Sequence, residues 1–545
     1  MAKNKNRTLH PDEPLLHADH PRPVTRREFI SQGFMAGAGA VVGPSMLGML
    51  AGTGEANAAL SQDLIDLKDP AICNIVAGAD KIPFICFDLA GGANLAGSNV
   101  LVGGQDGIQD ALTSAGYSKL GIPGDRLPTT FSATDPFVNL DLGIPFHSES
   151  SMLEGIKMRF TNTTNVNGAV IPARSDNDTG NNPHNPMYGI NRAGARGQLL
   201  TLIGSRNSVS GGNSMSPASM INLSVQPTKI DRPSDTKGLV DTGELSVKMG
   251  EKNATRVMES IQRISKKKMD LMETNPLASA DLDDTAIKKQ VNCAYVKSAD
   301  MVDVFGNPTE LDSSDNDADI AAIFPIGDAN GDINNGINHD RELAKTAAVM
   351  KMVMKGYAGA GTITMGGYDY HTGNRTTGDA RDVRAGQCIG ACLAYAERLG
   401  KPLMIYVCSD GSLASNGTPD AGANGKLVWT GDNSSTACSF FLVYKPGTGR
   451  PVLFTSPGTT QAQHQQLGWF RPGASVETNA TPAANNVNLL VETVVLNYMA
   501  LHGEQGNFTD ADKFPNHGLG NSTMLDRMTA FEPIVNGTLK NTTFT

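Results

Sequence analysis

Five short, uninterrupted apolar runs restrict the fold of this chain more than any other feature: Ile82–Phe87, Leu199–Ile203, Thr362–Met365, Leu403–Val407 and Phe440–Tyr444. Runs without polar alternation are what strands covered on both faces require. Helical patterns lie between the later ones. Arg341–Tyr357 carries Leu343, Ala347, Met350 and Met354 at helical spacing, and Asp379–Leu399 carries Val383, Ile389, Leu393 and Ala396. The alternation of strand and helix from Glu342 to Tyr444 predicts parallel pairing, hence an α/β/α sandwich built on a mostly parallel sheet. A last helix is expected over Asn486–Leu501. Ser98–Asn167 and Asn207–Lys248 are rich in Gly, Ser, Asn, Thr and Pro and read as long loops or insertions. Lys252–Met272 reads as a basic amphipathic helix with a solvated polar face.

Ahead of this pattern stands Thr25-Arg26-Arg27-Glu28-Phe29-Ile30, followed by a glycine-rich apolar run from Phe34 to Ala51 and by Ala56-Asn57-Ala58. Paired arginines before a weakly hydrophobic stretch and a small-residue site are expected of a twin-arginine export signal, residues 1–58, cleaved after Ala58. That pathway exports proteins already folded. The expected mature part, 59–545, is one large domain with insertions at about 98–167 and 207–340, periplasmic or secreted, with no membrane span of its own. Residues 59–545 hold 39 basic and 50 acidic side chains. Such an acidic balance argues against nucleic acid or anionic lipid as partners, since both need a cationic face. The seven cysteines form no CxxC pair, and those in apolar runs (Cys86, Cys408, Cys438) read as buried thiols, with an undeduced disulfide as the alternative.

In open α/β sheets the binding site lies beyond the carboxyl ends of the strands. The first run leads into Asp88-Leu89-Ala90-Gly91-Gly92-Ala93-Asn94, the third into Gly366-Gly367-Tyr368-Asp369-Tyr370-His371, and the fourth into Ser409-Asp410-Gly411-Ser412. Gly431-Asp432-Asn433-Ser434 precedes the fifth. Asp88, Asn94, Asp369, His371, Asp410 and Asp432 are therefore expected on one rim. Carboxylates gathered there repel one another unless a cation sits between them. Several carboxylates with one imidazole suit a divalent ion such as Zn²⁺, Mn²⁺ or Mg²⁺, which could polarise a phosphoryl or sulfuryl oxygen or lower the pKa of a bound water. The competing reading makes these residues helix caps and turn formers.

The arginine signal, the strand followed by Gly91-Gly92, the Gly366–His371 segment and the strand ending in Ser409-Asp410 resemble, in order, the bacterial family called domain of unknown function 1501. That family is similar to sulfatases and the alkaline phosphatase superfamily. Its Gly-Gly-Trp-Asp-Thr-His is met by Gly366 to His371, with Tyr368 and Tyr370 in place of Trp and Thr. Its Ser-Glu-Phe-Gly-Arg is met at Ser409-Asp410, which keeps the acid and loses the arginine. The resemblance implies an exported metal-dependent hydrolase of small phosphate or sulfate esters. Its metal ligands would be Asp369, His371 and Asp410, supplemented by Asp88 and Asp432. Asn94 stands where the superfamily places ligand or nucleophile residues, and Asn433 where a histidine ligand would fall. A second reading, favoured by those two asparagines, is a non-catalytic cell-envelope protein that binds or assembles with a protein partner.

Two further segments carry polar side chains. Arg174–Met187 falls where the family has Arg-Ser-His-Phe: Arg174 could hold an anionic oxygen, and His184 could ligate metal or act as acid/base. A loop of Asx turns is the alternative. Asp328–Asn334 offers oxygens at calcium-loop spacing, yet Ile333 replaces the turn glycine and His339 the closing glutamate, so calcium there implies a looser loop than an EF-hand. His464 is a lone histidine that could supply a missing ligand. No Gly-x-Ser-x-Gly elbow and no Cys-x-Pro-x-Arg segment occurs, and Ser412 beside Asp410 is a nucleophile only if geometry makes it one.

Overall fold

The computed structural model describes residues 60–69, 71–73, 75, 78–175, 182–239, 250–272, 284–305, 308–314, 316–325 and 340–544. The arginine signal, its cleavage position and the Asp328–Asn334 loop lie outside these. The chain divides into two compact units, Met1–Ile75 with Thr242–Gly306, and Val76–Asp241 with Asn307–Thr545. Among the described residues, no helix is long and apolar enough to cross a membrane.

The smaller unit pairs two long helices, Glu251–Asp270 and Asp284–Phe305, beside the short helix Gln62–Leu67. The first of the long pair matches the amphipathic helix expected at Lys252–Met272. Leu60, Leu64 and Ala299 form its small apolar cluster, with Met258 packed against them. Cys73 and Cys293, 220 residues apart in sequence, are joined by a disulfide. Arg263 grips Asp63 through two hydrogen bonds of 2.9 and 3.1 Å.

The larger unit holds eleven described strands: β1 Phe84–Leu89, β2 Val138–Asn139, β3 Phe146–His147, β4 Val166–Pro172, β5 Leu200–Gly204, β6 Thr228–Lys229, β7 Ala358–Met365, β8 Leu403–Ser409, β9 Leu413–Pro419, β10 Leu427–Asp432 and β11 Cys438–Tyr444. Seven of them form one sheet in the order β4-β11-β8-β1-β7-β5-β6. All six residues of β1 are buried. Alternate residues serve the two faces. Phe84, Cys86, Met404, Tyr406, Phe441 and Val443 pack with the helix Val487–Leu501. On the opposite face Gly361 lies under Val349 and Val353 of the helix Arg341–Met354. Helices therefore cover both faces, and the strands read as continuous apolar runs for that reason.

Local sequence sets the helix ends. Asp340 caps Arg341–Met354 by accepting from the N–H groups of Glu342 and Leu343. Gly400 ends Arg375–Leu399 in the left-handed conformation (φ 58°). The helix Ser151–Arg159 crosses Arg375–Leu399 so closely that a Cβ on Gly386 would stand 2.1 Å from the Met152 carbonyl oxygen.

The expectation of all-parallel pairing from Glu342 to Tyr444 fails at its last step. β1 pairs in parallel with β7 and β8, but β11 runs antiparallel to β8. The β9–β10 hairpin, not a helix, joins β8 to β11, so the chain re-enters the sheet from the end it had just left. On the other side β11 pairs antiparallel with β4. β4 overlaps the end of a segment read as loop, because Asn167 and Gly168 interrupt its apolar run.

Candidate metal centre

Three loops stack at the carboxyl end of the central strands. Gly91 (φ 122°) lies against the Asp369 backbone, where a Cβ would come within 2.5 Å of the Asp369 nitrogen, and Gly92 (φ 97°) lies against Gly411 and Ser412. Only glycine combines such φ values with such approach. The Ser409 hydroxyl accepts from the N–H groups of Gly92 and Ala93 and donates to the Leu89 carbonyl at 2.6 Å. Backbone bonds from Ala90 to Met365 and from Tyr368 to Ala90 lock the second interface. Gly91→Ala is expected to destabilise the protein by about 3 kcal/mol, through strain and overpacking together. A lowered melting temperature with loss of any metal held by Asp369 would be seen; an unchanged melt would refute the close packing.

Tyr368 and Tyr370 are buried, whereas Asp369 between them is exposed. Tyr368 donates to the Arg381 carbonyl at 2.9 Å, and Tyr370 reaches Asp382 at 3.5 Å. The tyrosines thus anchor the segment and turn Asp369 outward. The Gly373 N–H donates to the Trp429 carbonyl at 2.8 Å, tying this loop to β10. At the end of β10, the Asn433 N–H donates to the Ser412 carbonyl, also at 2.8 Å.

These ties bring Asp369, His371 and Asp432 together, with one potential ligand atom from each lying within 4.8 Å of the others. His371 Nε2 stands 2.8 Å from Asp369 Oδ1, and the two side chains are 33% and 63% exposed, so the group opens to solvent. Bonds of about 2.0–2.2 Å to N and O donors fit between atoms so spaced after small side-chain rotations. Two carboxylates and one imidazole with an open side match the three-ligand pattern of reactive sites more closely than the closed four-ligand pattern of structural ones.

The other expected ligands sit on the same rim with different partners. Asp88 is buried and accepts from the Asn213 N–H (2.6 Å), the Ser214 N–H (2.9 Å), the Ser214 hydroxyl (2.8 Å) and the Thr364 hydroxyl (3.0 Å), which pins the loop after β5 to the sheet. Asp410 is also buried, accepting from the Gly91 N–H at 2.8 Å and the Asn213 amide at 3.0 Å. Burial, reinforced by the negative charge of Asp88, pushes its carboxyl up to about 7. Neither carboxylate belongs to the Asp369–His371–Asp432 group.

Asn94 is buried too. Its side chain accepts from Ser98 at 2.5 Å and faces the Leu413 carbonyl at 3.5 Å, so it braces the turn. Asn433 accepts from the N–H and hydroxyl of Ser435, as a cap. Arg174 reaches Asn485 and Ser434, beside Asn433. Buried His184 faces the Ser175 hydroxyl at 3.0 Å, which itself donates to the Asp410 carbonyl at 2.7 Å, and desolvation drops the imidazole to about 4. A neutral, buried imidazole is poorly placed to exchange protons with solvent. Ser412 is buried and accepts from Thr436. His464 is bound to Thr459 and the Thr529 carbonyl, as a structural histidine.

Asp382 was not foreseen. It sits behind Tyr370, where the Asn99 amide donates to it at 2.7 Å. Burial, with Asp379 nearby, pushes its carboxyl up to about 7. Its helical position gave no polar-cluster signal, because Asn99 and Tyr370 are remote in sequence.

Comparison with protein-family models, curated proteins and solved structures returns no match to this chain.

Proposed function

We propose that this protein is an exported metallohydrolase that holds one divalent cation, Zn²⁺, Mn²⁺ or Mg²⁺, through Asp369, His371 and Asp432 and acts on phosphate or sulfate esters. The observation that carries the reading is the convergence of those three side chains, open to solvent, beyond the carboxyl ends of a mostly parallel sheet. Such a cation supplies Lewis acidity toward an ester oxygen. The protein's own share is positional: the buried tyrosines fix Asp369, and the Gly373–Trp429 bond keeps His371 beside Asp432. Export by the twin-arginine route, and kinship with the domain of unknown function 1501, belong to the same proposal. The Cys73–Cys293 disulfide supports an oxidising destination.

A second reading, a cell-envelope protein that uses the rim for binding alone, is favoured by Asn94 and Asn433. Both are absorbed in turn and cap bonds and offer nothing to a reacting ester.

Protein purified from the periplasm without chelators is expected to carry about one equivalent of metal. Asp369→Ala/His371→Ala should lose it, together with phosphatase or sulfatase activity. Metal-free wild-type protein would sink the proposal; bound metal with no turnover of any ester would favour the binding protein.

A further inference from the structure

A second polar feature lies beside the Gly366–His371 loop, where Gly367 packs against Arg381. A cleft of about 590 Å³ opens between the first turns of Arg341–Met354 and Arg375–Leu399, lined by Asp340, Arg341, Glu342, Thr376, Thr377, Ala380, Arg381 and Arg384. Its volume falls within the range of small-molecule sites.

The charges in this cleft do not cancel locally. Asp340 is taken by Arg384 at 2.9 Å, and Glu342 by Lys345 at 2.7 Å. Among the described residues, Arg341 and Arg381 have no acidic partner within ion-pair distance. On a protein whose formal charge is −10, two guanidinium groups lining one concave site without an acidic partner form a local reversal of the field. Gly367 (φ 89°) sharpens the placement: a Cβ there would stand 2.9 Å from Arg381 Cζ, so the guanidinium lies flat against the loop backbone. Asn374 places no side-chain cap on the first turn of Arg375–Leu399, whereas Asp340 caps the facing helix.

We propose that this cleft binds a small oxyanion, the phosphate or sulfate group of a soluble molecule, with Arg381 and Arg341 as its charged contacts. Planar guanidinium groups bind tetrahedral oxyanions through paired, charge-assisted hydrogen bonds that an ammonium cannot reproduce. Occupancy does not require a metal at Asp369, His371 and Asp432, so the proposal stands or falls separately from the hydrolase reading.

Titration of the purified full chain with inorganic phosphate and with sulfate, followed by calorimetry, tests it. Arg341→Gln/Arg381→Gln should weaken binding by at least about tenfold, and Arg381→Lys by a smaller factor, because charge remains while the fork is lost. Raising the salt concentration should weaken wild-type binding. Asp369→Ala/His371→Ala, which removes any anion contact at the metal rim, should keep the arginine-dependent binding. Absence of binding to the wild type, or equal binding by the arginine double variant, would overturn the site. Loss in the Asp369/His371 variant alone would assign the anion to the metal rim and overturn it equally. Sedimentation with phosphatidylglycerol vesicles, without any response to free phosphate, would mean a membrane surface and not a soluble oxyanion. Both arginines are exposed, so the variants should melt with the wild type; if the double variant does not fold, Arg381→Lys carries the test.

Discussion

Asp382→Asn is expected to stabilise the protein at pH 8 and to leave its stability nearly unchanged at pH 4. In the folded chain the Asp382 carboxyl is held near 7 by burial, whereas in an unfolded chain an aspartate titrates near 3.9. Below about pH 4 both states carry the proton and the group costs nothing. As pH rises toward 7 the unfolded state ionises while the folded state cannot, and stability is lost. Above about pH 7 the loss is complete, at about 4 kcal/mol for a shift of roughly three units. Asparagine never ionises. Its Oδ1 can accept from the Asn99 amide and its Nδ2 can face the Tyr370 hydroxyl, so the local bonds survive. At about 1 °C per kcal/mol for a chain of this length, the variant should melt several degrees above the wild type at pH 8, the gap closing toward pH 4. Asp410 shifts in the same direction, so the difference between the two proteins is the quantity to read. A gap that does not change with pH would mean that Asp382 is ionised in the folded state.

Cys293→Ser should weaken the smaller unit on a comparable scale. Closing a loop of 220 residues restricts the fully unfolded chain by about 5 kcal/mol in the chain-entropy treatment, and by less while Val76–Asp241 stays folded in the larger unit. The apolar cluster beside it is small, and a buried side chain such as Leu64 contributes about 1.5–3 kcal/mol. The crosslink is therefore of the same order as the core it supplements. Loss of helical circular dichroism at lower urea, with faster proteolysis within 250–305, is expected of the variant. Reductant should reproduce the effect in the wild type and add nothing to the variant, since the other five cysteines are free thiols with no disulfide to reduce. Identical urea midpoints in all four samples would show that the pair does not support the unit.

The sheet was legible in the sequence where burial was two-sided. β1, β5, β7, β8 and β11 all overlap apolar runs, because strands under helices on both faces need no polar alternation. The direction of β11 was not legible: nothing in Phe440–Tyr444 encodes orientation, which is set by the β9–β10 hairpin, whose strands are partly exposed and carry no continuous apolar run. The disulfide was equally hidden, since Cys73 and Cys293 lie far apart and outside any motif. At the rim, strand ends and turn glycines foretold that polar residues would gather. They could not foretell that Asp88 and Asp410 face inward onto backbone N–H groups while Asp369 and Asp432 face solvent. That sorting depends on which neighbours each loop meets, as with Tyr368 and Tyr370, whose burial turns Asp369 out.

The antiparallel entry of β11 also bears on the order of assembly. Asp369 and His371 are close in sequence, but Asp432 reaches them only through the β9–β10 hairpin, whose end leads into β11 between β8 and β4. An ion gripped by all three would bind the completed sheet more tightly than any partly built one, and would favour it by mass action. It would act as a latch on the hairpin, so metal uptake during refolding would report the moment at which Asp432 is brought to the rim.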